Sequence, residues 1–553
     1  MFTFRSSAAL LCLSVVTMIS SAPGYACGGF FCTTVPINQA AEQIVFRQEE
    51  NKVTAMVRIM YAGEAEDFSW VVPVPSTPEI SLGANVTFNE LDFATRPQFR
   101  LRQEGQVCPS DQPPPQPVAS AEADTAAEQD SGVTIEEELT VGPFDIDIVS
   151  SENADDMSIW LQDNGYNLGD RGLELLEPYV LAGMKFVALK LKSGESSGSI
   201  QPLIMRYDSE KPMVPIRLTA VAAEDDMGVL VWVVNDARAI PENYEHVTPN
   251  YTKLDWYSGS FNAYASYQNL ITDAMDEAGG QGFATDYAGL ITDPIYDRLT
   301  GAVRVEENLA QLDAIDDDAE YLTNSLFFTT DPSAALASLQ TVLPLPQGED
   351  TNLYFDTARL QASYTPDELR QARVDTRQAI VTRELEPITN GVNLLPRDAY
   401  LTRLYTTLSA DEMTLDPTFN YNASMPEQPL QREARLDASC EFNISRWSLT
   451  LGEGTGRVGE TVLDVEGEPI PGATLPMPVN ALPAAFLRER TSAEAAPEVL
   501  FQADDSVLEI SPISSVDGID DDDDGFLGAA GFVWLLGGGL MLGIRRIRCR
   551  KQS

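Results

Sequence analysis

The sequence predicts an α+β fold, β-rich at its start, mixed in the middle with several helices, and β again after Cys440. Three observations predict it. Apolar and polar residues alternate early in the chain, helix caps and stops gather in the second half, and alternation returns near the end. Two apolar segments, one at each terminus, enclose this body and mark it as an exported ectodomain followed by one transmembrane helix.

Residues 1–26 have the three parts of a secretory signal. Arg5 supplies the charge of a short n-region, Ala8 to Ile19 is an apolar run too short for a bilayer, and Gly24 and Ala26 sit at −3 and −1 of a cleavage point. Cys27 then opens the mature chain. Gly24 stands where a lipobox wants an aliphatic residue, which argues against a lipid on that cysteine.

Residues 27–103 read as the β-rich part of the ectodomain. Ile44 and Phe46, then Val53, Ala55, Val57 and Ile59, flank a polar turn at Glu49-Glu50-Asn51, the signature of a hairpin. Phe68 to Val74 reads as a further strand closed by prolines. Residues 104–132, with Pro113-Pro114-Pro115 and a run of Ala, Glu, Asp and Ser, read as a linker or a disordered insertion.

Residues 133–465 read as a mixed α+β part. Strands are expected at Phe144 to Val149, Phe186 to Leu191, Ile200 to Tyr207 and Val229 to Val234, and a short helix at Ala154 to Gln162 before Asn164-Gly165. A longer helix runs from about Phe261 to Ala278 and stops at Gly279-Gly280. Further helices are expected near 302–313, 332–341, 366–385 and 398–408; the third opens on Thr365-Pro366-Asp367-Glu368, a capping box with proline at its first turn. Phe442, Ile444, Trp447 and Leu449 bring β structure back, and residues 466–524 read as a Pro-rich, acidic stalk.

Residues 525–544 are an uncharged stretch of 20 residues, which as a helix spans ~30 Å, the hydrocarbon thickness of a bilayer. Asp520 to Asp524 precede it, and Arg545, Arg546, Arg548, Arg550 and Lys551 in the tail 545–553 follow it. Cations resist translocation, so the tail stays cytoplasmic and the ectodomain faces the periplasm or the exterior. A glycine-rich apolar helix with a terminal arginine cluster also fits a removable surface-sorting signal, and that alternative stays open.

Setting aside Arg5 and the tail leaves 30 Lys and Arg against 84 Asp and Glu, a charge near −54. Nucleic acid needs a basic face and is excluded as a partner. The membrane is the expected partner of the C-terminal helix, with an envelope protein or a glycan as the open class for the ectodomain. Cys27, Cys32, Cys108 and Cys440 form an even set outside the cytoplasm, so two disulfides are expected. Three pairings are open; a local bridge from Cys27 to Cys32 would leave Cys108 with Cys440.

Cys27-Gly-Gly-Phe-Phe-Cys32, Asn38-Gln-Ala-Ala-Glu-Gln-Ile-Val-Phe46 and Phe68-Ser-Trp-Val-Val-Pro-Val-Pro75 resemble the bacterial domain-of-unknown-function family 2330. Tyr400-Leu-Thr-Arg-Leu-Tyr405 with Met413-Thr-Leu-Asp416 is similar to a later signature of that family, so the resemblance covers most of residues 27–445. It implies a secreted or envelope protein, often with a C-terminal membrane segment, and no reaction, ligand or catalytic residue.

The residues by themselves supply no convergent chemistry. Gly194-Glu-Ser-Ser-Gly198 fits a nucleophile elbow in spelling, but an elbow needs a helix next and here a second strand follows, so a hairpin tip is expected. Asp520-x-Asp522-x-Asp524-Gly525 opens like a calcium loop whose twelfth position would be Gly531, not the glutamate required. Asp313, Asp316, Asp317, Asp318 and Glu320 could attract calcium weakly, the one cofactor the sequence leaves open, although a solvated acidic face explains them as well. His246 is the sole histidine and has no evident zinc partners. Trp256, Tyr257, Phe261, Tyr264 and Tyr267 suit either a sugar-stacking face or core packing. The expectation is a non-enzymatic envelope protein with no catalytic, cofactor or metal residues assigned. The alternative is an extracytoplasmic hydrolase whose carboxylates meet only in the fold.

Overall fold

The computed structural model describes residues 39–60, 68–105, 134–166, 171–193, 195, 199–221, 223–256, 259–301, 304–329, 332–441, 444–456, 460–466, 482–503 and 508–510. The signal segment, Cys27, Cys32, Cys108, nearly all of the 104–132 linker, the Asp520–Gly525 motif, the 525–544 segment and Arg545, Arg546, Arg548, Arg550 and Lys551 lie outside them. Among the described residues no helix is long and apolar enough to cross a membrane.

The mixed α+β class holds. β1 (Gln39–Glu49) and β2 (Lys52–Ile59) form the expected hairpin, with Glu50 of its turn in the left-handed region at φ 54°. β3 (Ser69–Val74) leaves for a second sheet and β4 (Glu79–Leu82) returns to the first. α1 (Asn85–Thr95) and β5 (Gln98–Gly105) follow, and then β6 (Thr134–Val141), β7 (Phe144–Ser150), α2 (Ala154–Asp163), α3 (Gly172–Leu181) and β8 (Lys185–Leu191). β3, β8, β7 and β6, in that order, make an antiparallel sheet whose core includes Trp160 and Leu161 of α2 and Leu176 of α3.

β9 (Leu203–Asp208), α4 (Ile216–Thr219), β10 (Ala223–Asn235), β11 (Ala239–Pro241) and β12 (Glu245–Pro249) precede α5 (Gly259–Glu277). α5 stops at the expected glycines: Gly279 and Gly280 have φ of 66° and 74°, and a Cβ on Gly280 would lie 2.5 Å from the Glu412 side chain. β13 (Gly282–Leu290) leads into a helical run of α6 (Asp293–Gly301), α7 (Arg304–Asp313), α8 (Asp318–Ser325), α9 (Pro332–Val342), α10 (Thr357–Ser363), α11 (Pro366–Ile380) and α12 (Glu386–Asn393). The Thr365/Glu368 capping box at the head of α11 is formed as expected.

β14 (Tyr400–Leu408), β15 (Phe419–Tyr421), β16 (Gln431–Glu441), β17 (Ile444–Leu451), β18 (Glu460–Glu466), β19 (Ala485–Arg490), β20 (Glu498–Gln502) and β21 (Leu508–Ile510) complete the chain. The large sheet runs β20-β19-β12-β13-β14-β10-β1-β2-β9-β4, and a third sheet runs β21-β18-β17-β16-β5. One face of the large sheet, with Ile44, Phe46, Val231 and Leu404, packs on the β3–β8 sheet; the other, with Val45, Trp232 and Leu401, packs on Phe88 and Leu91 of α1. Both faces are covered, so β1 and β10 read as nearly continuous apolar runs.

Four expectations are corrected. The helix expected at 398–408 is β14, which sits between β10 and β13. Leu401, Leu404, Tyr405 and Leu408 mimic a helical stripe, but burial on both faces and the threonines between them suit a central strand. The β return therefore begins at Tyr400, and of Cys440 only the backbone, in β16, is described. Part of the segment expected as stalk folds: β19 and β20 extend the large sheet, and Glu277 of α5 accepts from the backbone N–H groups of Ala484 and Ala485 at 2.8 and 3.0 Å. Finally, β8 and β9, expected to pair as a hairpin, belong to different sheets.

A buried charge network ties these layers together. Arg403 of β14 is 1% exposed and donates to Asp286 of β13 at 3.0 Å. It also meets the Asp92 carboxylate of α1 at 2.8 Å and donates to the Asp92 carbonyl at 2.9 Å. Tyr267 of α5 donates to Asp286, and Arg432 of β16 donates to the Asp286 carbonyl at 2.7 Å. Removing one partner strands a buried charge. Asp286→Ala is therefore expected to cost about 3–5 kcal/mol of unfolding free energy in a urea titration, more than an apolar replacement of Asp286 and Arg403 together.

Candidate functional site

The face of the large sheet that meets β3 encloses a cleft. Glu42, Ile44 and Phe46 of β1, Ala55 and Val57 of β2, and Met205 and Tyr207 of β9 form one wall. Trp70 through Val74, all of β3 after its first residue, and the following Pro75 form the opposite wall, and Lys211, Met213 and Thr219 close one side. The cleft holds about 590 Å³ of empty space including its mouth, of which about 30 Å³ admits the centre of a water molecule, room for roughly two waters. It suits one small chemical group and excludes a whole drug-sized molecule.

The β1 side chains in it follow the period of a strand. Glu42 lies two and four residues before Ile44 and Phe46, so the same alternation that buries those two carries a carboxyl into the core. Glu42 is 7% exposed. Thr219 hydrogen-bonds the carboxyl, while its Oε2 has no hydrogen-bond partner among the described residues. Burial dominates and pushes the Glu42 pKa up to about 7, with the Thr219 bond opposing it. The one cation among the described lining residues, Lys211, is held by both carboxylate oxygens of Glu242 at 2.6 and 2.8 Å.

The side wall is itself fixed from a distance. Val214 donates to the Pro417 carbonyl at 3.1 Å, and Phe419 donates to that of Pro212 at 3.1 Å. Asp416 accepts from the Tyr179 hydroxyl at 2.7 Å and from the Arg217 backbone N–H at 3.1 Å. Asp416, Pro417 and Phe419 thus serve as a latch behind the cleft wall.

The other sequence candidates do not converge on it. His246 lies buried in β12, with Nε2 3.0 Å from the Thr285 hydroxyl and 3.3 Å from Arg238, and burial lowers its pKa. Trp256 and Tyr267 are core, with Tyr267 stacked on Tyr251 at 6.1 Å; Tyr257 and the Phe261 side chain lie outside the described residues. Three of the acids of 313–320 take structural duties: Asp313 binds Arg377 through both carboxylate oxygens, Asp318 meets Arg373 at 3.3 Å, and Asp317 caps α8. Among the described residues no three His, Cys, Asp or Glu side chains are placed to hold a metal ion. Of the Gly194–Gly198 motif only Glu195 is described, and it accepts from Arg383 at 3.0 Å. Sequence reasoning passed over Glu42, although its phase with Ile44 and Phe46 was the available signal.

These features define a mixed-sheet α+β protein in which, among the described residues, one acid is set into an apolar cleft between two sheets. Residues 22–335, more than half of the chain, match the family of uncharacterized proteins conserved in bacteria, DUF2330, and the chain belongs to that family. The match ends within α9, so the 400–416 segment lies beyond the matched residues, while Glu42 and β3 lie inside them. No curated protein and no solved structure matches the chain.

The raised pKa has a signed consequence. The native state holds the Glu42 proton more tightly than the unfolded chain, whose carboxyl keeps its ordinary pKa near 4.5. Stability from this group is full below pH 4.5, falls as pH rises through 4.5 to 7, and is level above. Glu42→Gln removes that loss. In urea titrations the variant is expected to gain on the native protein from pH 4 to pH 8, by about 3 kcal/mol.

Proposed function

We propose that this protein is a membrane-anchored extracytoplasmic binding protein, acting without catalysis, whose inter-sheet cleft holds a small group of its ligand. One observation carries the reading: an apolar cleft, walled by two sheets, contains a single buried carboxyl with an unsatisfied oxygen. A hydrolase working with carboxylates needs two acids across its substrate. Among the described lining residues Glu42 is the one acid, which favours binding. The leader-like residues 1–26, the 20-residue apolar stretch before the arginine cluster and the charge near −54 support placing the body outside the cytoplasm with the tail inside. Cys27, Cys32, Cys108 and Cys440 would be oxidised there.

Thermal unfolding of the full-length protein against a panel of small solutes tests the binding site. A solute present at tenfold its Kd adds about 1.4 kcal/mol of stability. The expected result is stabilisation by at least one solute of the native protein and none of an Ala55→Val variant, in which two added methyl groups fill the cleft. Equal stabilisation of both proteins would refute the site, as would a panel in which no solute acts.

A further inference from the structure

Resting on the reading of the cleft as a binding site, we propose that the group it takes is a cation, a single alkylammonium head seated between the Glu42 carboxylate and the aromatic side chains that share its space. Four observations converge. Oε2 of Glu42 is buried and unpartnered among the described residues, and a buried carboxylate is stable only when a donor or a positive charge meets it. The protein's own nearby cation is committed elsewhere, because Lys211 is clamped by Glu242. Pro73 and Pro75 on the facing wall carry no backbone N–H and so offer no donor from those positions. Phe46, Trp70 and Tyr207 line the same space, and the negative faces of aromatic rings attract organic cations.

Size and field agree with this chemistry. The water-sized part of the cleft fits an ammonium head, and Met205 and Met213, which line the same cleft, offer apolar surface to a short alkyl stem. The strongly acidic body raises the local concentration of cations around it. A carboxylic acid or a phosphate would bring a second negative charge onto the ionised Glu42, which the low dielectric of the cleft opposes.

Cation binding requires Glu42 ionised, so the site exchanges a proton for its ligand. The titratable groups lining the cleft from its described walls are Glu42, Tyr207 and Lys211. Burial pushes the Tyr207 phenol further up, away from neutral pH, and Lys211 stays in its ion pair with Glu242, so Glu42 sets the pH dependence. Binding then tightens as pH rises through the Glu42 pKa of about 7, in proportion to the ionised fraction.

The experiment is a ligand-observed NMR titration of the full-length protein with n-propylammonium and, separately, n-propanol, at pH 6 and pH 8 and constant ionic strength. Propylammonium is expected to bind about tenfold more tightly at pH 8 than at pH 6. Propanol is expected to show no such rise. Glu42→Gln should lose the ammonium affinity while its unfolding midpoint stays at or above the native value, which separates loss of the site from loss of the fold. Propanol binding without propylammonium binding overturns the cation assignment and leaves the cleft as a binding site. Propylammonium binding that persists in Glu42→Gln, or that weakens as pH rises, also overturns it. Binding of neither probe refutes the cation, and the solute panel then decides the cleft itself.

Discussion

Arg403 is the constraint around which the layers are arranged. A guanidinium at the centre of a ten-stranded sheet cannot be left without partners, and its fork reaches Asp286 on the neighbouring strand and Asp92 on the helix above. Asp286 in turn accepts from Tyr267, and its carbonyl accepts from Arg432. One charge set thereby fixes the spacing of α1, α5, β13, β14 and β16, which come from chain segments more than three hundred residues apart. Hydrophobic burial alone would hold these elements together, but apolar contacts do not specify register as donors and acceptors do.

That fixation is what allows the opposite face to contain a cleft. β1 is held on one side by β10 in parallel and on the other by β2, so neither strand is free to shift and bury Glu42 differently. β3 crosses over to the second sheet and β4 comes straight back, with prolines at 73, 75 and 78 keeping the crossing extended. The cleft that contains Glu42 lies between these two sheets. The 416–419 latch keeps the side wall in place by hydrogen bonds that do not involve the cleft itself.

Much of this was legible in the sequence, for definite reasons. The β1–β2 hairpin declared itself through alternation about a polar turn, α11 through its capping box, and α5 through the glycines after it, since each signal is local. What failed was non-local. β14 carries a helix-like spacing of leucines because a strand buried on both faces loses its alternation, and its arginine makes sense only beside Asp286 and Asp92. β5 sits at the rim of a segment rich in polar residues and pairs with β16, over three hundred positions later. β19 and β20 lie in a stretch whose prolines and acids suggest a stalk, and their pairing with β12 has no local signature. The cleft was half visible: Glu42 stood in the phase of the buried face, but the wall opposite it comes from another sheet.

Glu42 breaks the agreement between pattern and burial that most of the core obeys, and such breaks concentrate where function is built. A purely structural acid would be expected to have both oxygens satisfied, as Asp286 does with Tyr267 and Arg403. Glu42 instead has Thr219 as its one hydrogen-bond partner among the described residues, so the native fold tolerates a cost that glutamine or leucine at the same position would avoid. Proteins hold little stability in reserve, and an avoidable cost of that size in the core is retained where activity needs it. The same burial that makes the carboxyl expensive also makes it responsive, because a group whose pKa sits near neutrality changes charge under small changes in its surroundings. An incoming cation supplies the missing partner and the reason to ionise at once.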